Sequence, residues 1–327
     1  MDNILGVNDS MKSSFEKKSL AFTIIVLFFG MSIIPSMVAE RPVLIEIIYV
    51  DDDNQDGPWD GSMEHPYQHI QDAIDNASID STVFVNNGIY YENIFINKTI
   101  ALLGEDKNLT IVDGQDNGDV IYVGYPANGV AISGFTIRNA GKRYGNGMFD
   151  GGIDLNSDQN TIKNNIFTKN FIAGLILFGS SKNSIENNYI GDSNRSGIEF
   201  LSGRFNKISN NTITNNTDYG ISVSSMGNSS KNIFSYNNFD KNREGISVYH
   251  SDNTIIHNNF LNNYVRHASC PFNIWTFSPS RNFWDANYWD NWNGVYVKYI
   301  PGFFGFNFDR HPVEAPYEIE HLELMAN

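Results

Sequence analysis

From Gly152 onward, apolar residues fall two apart behind a recurring glycine: Ile153 and Leu155, Leu175 and Leu177, Ile198 and Phe200, Ile221 and Val223, Ile246 and Val248. The glycines Gly152, Gly174, Gly197, Gly220 and Gly245 are spaced 22, 23, 23 and 25 residues apart. Between them run Asn-rich phrases such as NTIKNNIFTKN (160–170) and NSIENNYIGDS (183–193), each carrying two more apolar anchors. One set of anchors is Ile162, Ile185, Ile208, Phe234, Ile255 and Trp284; the other is Phe167, Ile190, Ile213, Phe239, Phe260 and Trp289. A period of two is that of a strand, and no stretch inside a repeat has the three-and-four spacing of a helix. Three short strands per roughly 23 residues predict an all-β solenoid, a single parallel β-helix.

The repeat also accounts for its asparagines. Stacked coils place equivalent residues about 4.8 Å apart, so Asn165, Asn188, Asn211, Asn237, Asn258 and Asn287 form one column. Asparagine accepts the left-handed backbone of a corner, bonds nearby backbone, and ladders along a stack. The column is therefore scaffold. A leucine-rich horseshoe, the competing Asn-containing repeat, needs a leucine consensus absent from these coils. Before the coils, PYQHIQDAIDNAS (66–78) sets Ile70, Ala73, Ile74 and Ala77 on one helical face, suited to capping the first coil. After them, an aromatic- and Pro-rich segment breaks the repeat and covers the other end. The expected organisation is an export segment (1–39), an acidic lead-in with the cap helix (40–81), coils (82–290) and a C-terminal cap (291–327).

Composition narrows the partners. The net charge is −15, and no basic stripe exists to neutralise phosphates, which argues against nucleic acid. Cys270 is the one cysteine, so no intrachain disulfide forms. Lys12, Lys17 and Lys18 precede an uncharged apolar run from Ser19 to Ala39. That layout fits a secretory signal cleaved after Ala39 or a retained membrane anchor; in either case the rest of the chain is exported. An anchor would be its one membrane contact. The expected location is extracellular or cell-surface, or periplasmic in a double-membrane cell.

At YVDDD, PYQHIQDAIDNAS, VFVNNGIYYENIFINKTIALLGED and TIVDG, followed by Asn/Gly coils and NYWDNWNG, the chain resembles NosD-type β-helix proteins of the pectin-lyase-like superfamily. The resemblance covers residues 48 to about 320. It implies a right-handed coil and, as functions, lyases, hydrolases, copper-maturation factors and surface proteins alike.

The outward positions of the glycine strands are the candidate site. One column reads Asp154, Ile176, Glu199, Ser222 and Ser247; the next reads Asn156, Phe178, Leu201, Ser224 and Tyr249. Asp154, Arg195 and Glu199 offer hydrogen bonds to hydroxyls, and Phe178 and Tyr249 offer stacking planes, which suits carbohydrate. Asp154 and Glu199 lie two coils apart with Ile176 between, too poor a convergence to assign catalysis. For copper, only His267 and Cys270 are close in sequence, and no Met-rich tract is present. Asp52, Asn54 and Asp56, followed by Gly57, resemble the first half of a calcium loop, although Met63 occupies the twelfth position. The sequence thus points to an exported β-helix that contacts polysaccharide or envelope proteins without turnover. The alternative is a polysaccharide lyase or glycoside hydrolase, with copper delivery behind both.

Overall fold

Three short strands per coil stack into parallel sheets of 12, 9 and 8 strands in the computed structural model. The structure describes residues 46–319, except 146–147, 225–226, 251, 274–279 and 303–306. The export segment at 1–39 lies outside the described residues. Among the described residues no helix is long and apolar enough to cross a membrane.

The alternation of apolar and polar residues sets the register. Ile162, Ile185, Ile208, Phe234, Ile255 and Trp284 are successive partners in the first sheet. Phe167, Ile190, Ile213, Phe239, Phe260 and Trp289 are successive partners in the second. Ile153, Leu175, Ile198, Ile221 and Ile246 occupy the same place in the third. All point inward and are buried. Towards the C-terminal end the second of these columns turns aromatic: Phe239 stacks on Phe260 at 4.9 Å, and Phe260 on Trp289 at 4.2 Å. The fold is a right-handed parallel β-helix, as the sequence predicts.

The corners differ in detail from expectation. The left-handed residues are not the column asparagines but their predecessors: Asn164, Asn187, Asn210, Tyr236, His257 and Ala286, with φ between 53° and 57°. The column asparagine instead turns its amide into the coil. Asn188 Oδ1 accepts the Asn165 N–H at 3.0 Å, while its Nδ2 donates to Ile162 O at 2.9 Å and to Asn211 Oδ1 at 3.0 Å. Each amide thus pairs corner backbone groups that water does not reach. Two further ladders do the same. One runs from Asn160 through Asn183, Asn206, Asn232 and Asn253, and another through Asn216, Asn242 and Asn263. The repeating glycine answers to the last of these ladders. A Cβ on Gly197 would sit 2.7 Å from Gly220 O and 2.9 Å from Asn216 Nδ2, so any larger residue there would push the coils apart.

Both ends close as capped solenoids do. The helix Ile70–Asn76 buries Ile70, Ala73 and Ile74 over the first coil, and both oxygens of the Glu92 carboxylate accept N–H groups of its first turn at 2.9 Å. The first sheet extends past 82–290 in both directions. Ile47–Val50 pairs with Thr82–Val85, and Asp309, in the strand Asn307–Asp309, partners Trp284. Asp309 ends the middle asparagine ladder, accepting from Asn287 Nδ2 and Trp289 Nε1, each at 2.9 Å.

Candidate functional site

The outer face of the third sheet carries the site, and an insertion shapes it. Ile137 and Phe167 are partners 30 residues apart, whereas Phe167 and Ile190 are 23 apart. The extra length is a loop that folds back as the short hairpin Tyr144–Gly145 with Met148–Phe149. Asp150 fastens its base: Oδ2 accepts the Arg143 N–H at 2.8 Å, and Oδ1 pairs with the Arg143 guanidinium at 3.0 Å. Phe149 then packs on Ala173, Ile176 and Leu201, a small apolar cluster separate from the main core.

A cleft of about 250 Å³ opens beside this hairpin. Its lining combines polar Asp119, Arg143, Asp154 and Asn156, apolar Ile176 and Leu201, and aromatic Tyr122 and Phe178. Strand pairing brings them together: Asp154 is opposite Tyr122 on one side and Ile176 on the other. Phe95 extends the aromatic surface by stacking on Tyr122 at 5.6 Å and 18°.

The two acids have different surroundings. Asp119 Oδ1 accepts the Gly151 N–H at 2.7 Å. Burial and the Asp150 charge push its carboxyl up to about 6, against the pull of that hydrogen bond and of Arg143. Asp154 Oδ1 accepts the Asn156 amide at 2.9 Å, and burial followed by the Asp119 charge pushes its carboxyl up to about 8. Asp154 thus keeps its proton to higher pH than Asp119 does.

The residues singled out from sequence fare unequally. Asp154 and Phe178 line the cleft. Glu199 follows Ile176 in the column as expected, but it bonds Ser196 Oγ at 2.8 Å and Ser222 Oγ at 3.0 Å, and burial lifts it to about 7. It belongs to a buried hydroxyl row that continues through Ser247 and Ser269, not to the cleft. Arg195 faces Asp218 at 4.0 Å, and Asp218 faces Arg243 at 3.9 Å, the cross-strand charge pairing of a sheet face. Tyr249 lies farther along the coil, beside the Glu244 charge. One column slips: Phe178 pairs with Ser202 instead of Leu201, because a bulge inserts Leu201, which turns onto Ile176.

Asp119, Tyr122 and Arg143 escaped the sequence reading. Asp119 and Tyr122 precede the first regular glycine, and Arg143 lies in the insertion. Only the extra residues between Arg138 and Gly152 hint at the latter.

The calcium expectation meets a loop with other commitments. The Asp52 carboxylate accepts the Ile89 N–H at 3.1 Å, and the Asn54 amide nitrogen donates to Pro66 O at 2.7 Å. Among the described residues, no group of three or more His, Cys, Asp or Glu side chains is arranged to hold a metal ion.

A family model described as periplasmic copper-binding protein (NosD) matches residues 74–294. No curated protein matches the sequence. The solved alginate lyase from Paenibacillus sp. str. FPU-7 superposes with a TM-score of 0.55 at 16% identity, over 68% of this chain and 85% of that one. The catalytic unit of a thermostable α-1,3-glucanase from Streptomyces thermodiastaticus strain HF3-3 superposes with a TM-score of 0.54 at 16% identity, over 77% of this chain and 48% of that one. The present chain thus spans about half of the glucanase unit, and both likenesses are of fold.

Copper, named in the family description, can be tested against the donors present. The Cys270 sulfur is buried, receives the Asn282 amide at 3.7 Å, and has its thiol pushed up to about 12 by burial. His267 commits one ring nitrogen to Asp290 at 2.6 Å and the other to Asn263 at 3.1 Å. Among the described residues these donors do not fit a copper site.

Proposed function

The chain belongs to the NosD family of pectin-lyase-like β-helix proteins, and from that premise we propose that its third-sheet cleft binds carbohydrate. Membership carries an exported location, the family being described as periplasmic. The observation that carries the proposal is the pairing of aromatic planes with fixed polar groups. Tyr122 and Phe178, the latter 46% exposed, flank Asp119, Asp154, Asn156 and Arg143. A sugar ring offers apolar C–H faces to such planes and hydroxyls to such donors and acceptors. The coil adds an extended face of stacked strands along which a chain of sugar units can lie.

The test is retention of the exported chain on a panel of immobilised polysaccharides. Binding is expected, with Tyr122→Ala or Phe178→Ala weakening it about tenfold or more by loss of stacking. Tyr249→Ala, outside the cleft, should leave it unchanged. Retention that ignores Tyr122 and Phe178 but falls with Tyr249→Ala would move the site along the coil.

A further inference from the structure

We propose that the cleft hydrolyses a neutral glycan, with Asp154 as general acid and Asp119 as the base that activates water. The inference rests on the carbohydrate-binding reading above and extends it to chemistry. Glycoside hydrolysis needs two carboxyl groups that face one bond and hold opposite protonation states. The cleft sets up that asymmetry through its neighbours. Arg143 favours the charged form of both acids, but only Asp119 has the Gly151 N–H on its oxygen, which favours a carboxylate there. Asp154 lines the cleft with Ile176 and Leu201, has among the described residues the Asn156 amide as its hydrogen-bond partner, and has the Asp119 charge nearby, which favours the acid.

The step balances without any further reactant. Asp154 gives its proton to the glycosidic oxygen as the bond from that oxygen to the anomeric carbon breaks. Water forms the new bond to that carbon and gives a proton to Asp119. Solvent then returns Asp154 to its acid form and Asp119 to its carboxylate. Tyr122 and Phe178 orient the ring for this transfer.

Neutrality of the substrate follows from charge. Arg143 is the one cation among the described residues lining the cleft, and Asp150 already pairs with it at 3.0 Å. A uronate would meet two further acids and an arginine already engaged. Elimination from a polyuronate needs the sugar carboxylate neutralised, which this lining does not favour.

The test incubates the exported chain with neutral glucans, xylans and mannans, and in parallel with polygalacturonate and alginate. New reducing ends are expected from a neutral glycan that the cleft retains. Asp154→Asn and Asp119→Asn should each lower the rate by roughly 10²–10⁴-fold, far more than either lowers retention, while the melting temperature persists. The rate should rise as Asp119 ionises near pH 6 and fall as Asp154 loses its proton near pH 8. Of the other groups facing the pair, Asp150 and Arg143 act on both carboxyls, Asn156 bonds Asp154, and burial and the two acids push the Tyr122 hydroxyl up. Retention of a neutral glycan without reducing ends would overturn hydrolysis and leave the binding reading standing. Unsaturated products from a uronate would overturn it in favour of elimination. Retention of an acidic polysaccharide alone would overturn the neutral substrate, and retention of no polysaccharide would bring down both readings.

Discussion

Asp154 shows how much one residue's surroundings decide. Its folded carboxyl sits at about 8 against an ordinary 3.8, so between those values the folded chain keeps a proton that the unfolded chain releases. Stability therefore falls as pH rises across that window, since the unfolded state binds fewer protons. Asp154→Asn imitates the protonated side chain and has nothing to lose. Its melting temperature should fall less than that of the wild type between pH 5 and pH 9, as calorimetry would read. A parallel fall in both proteins would place the titrating group elsewhere. The sequence located Asp154 on the outward column but gave no sign of this environment. Ile176 follows it in the column, but its other apolar neighbours arrive through the bulge at Leu201 and the hairpin at Phe149, neither of which has a periodic signature.

At the scale of the element, the coil rests on two kinds of stack that fail differently. Ile208 fills the core between Ile185 and Phe234, and its replacement by alanine should cost about 2–5 kcal/mol through the cavity left behind. Asn211 makes no such contribution by volume. Its Oδ1 accepts from Asn188 N–H and Nδ2, and its Nδ2 donates to Ile185 O at 2.9 Å. Asn211→Ala would strand those buried groups, at about 1–3 kcal/mol for each left unpaired. Chemical denaturation should find both variants well below an exposed control, Lys207→Ala. An Asn211→Ala protein as stable as that control would mean that water or neighbours repair the ladder. The middle column was legible because every repeat carries it in phase. The other two were equally periodic, since Asn160, Asn183, Asn206, Asn232 and Asn253 open their phrases. What sequence could not reveal is that the asparagine is the bonded residue while its predecessor takes the left-handed turn. Lys, Tyr, Phe and Ala all occur at such positions, so composition conceals them.

For the whole molecule, the repeat told nearly all of the fold, because each coil restates the same inward positions and one register satisfies them all. Function was less legible, since the cleft lies where the repeat is broken: before the first regular glycine, in the insertion at 141–150, and at the bulge. Periodic columns gave Asp154 and Phe178, and tertiary folding brought Asp119, Tyr122 and Arg143 to them. A solenoid alone is a scaffold for many activities, so the irregularities are where specificity is written. The most direct check on this account is a crystal structure of the chain with a neutral oligosaccharide that it retains. A sugar ring seated between Tyr122 and Phe178, with hydroxyl or glycosidic oxygens on Asp119 and Asp154, is the predicted result. A ring bound instead beside Arg195, Glu199 or Tyr249, with the cleft left to solvent, would contradict it.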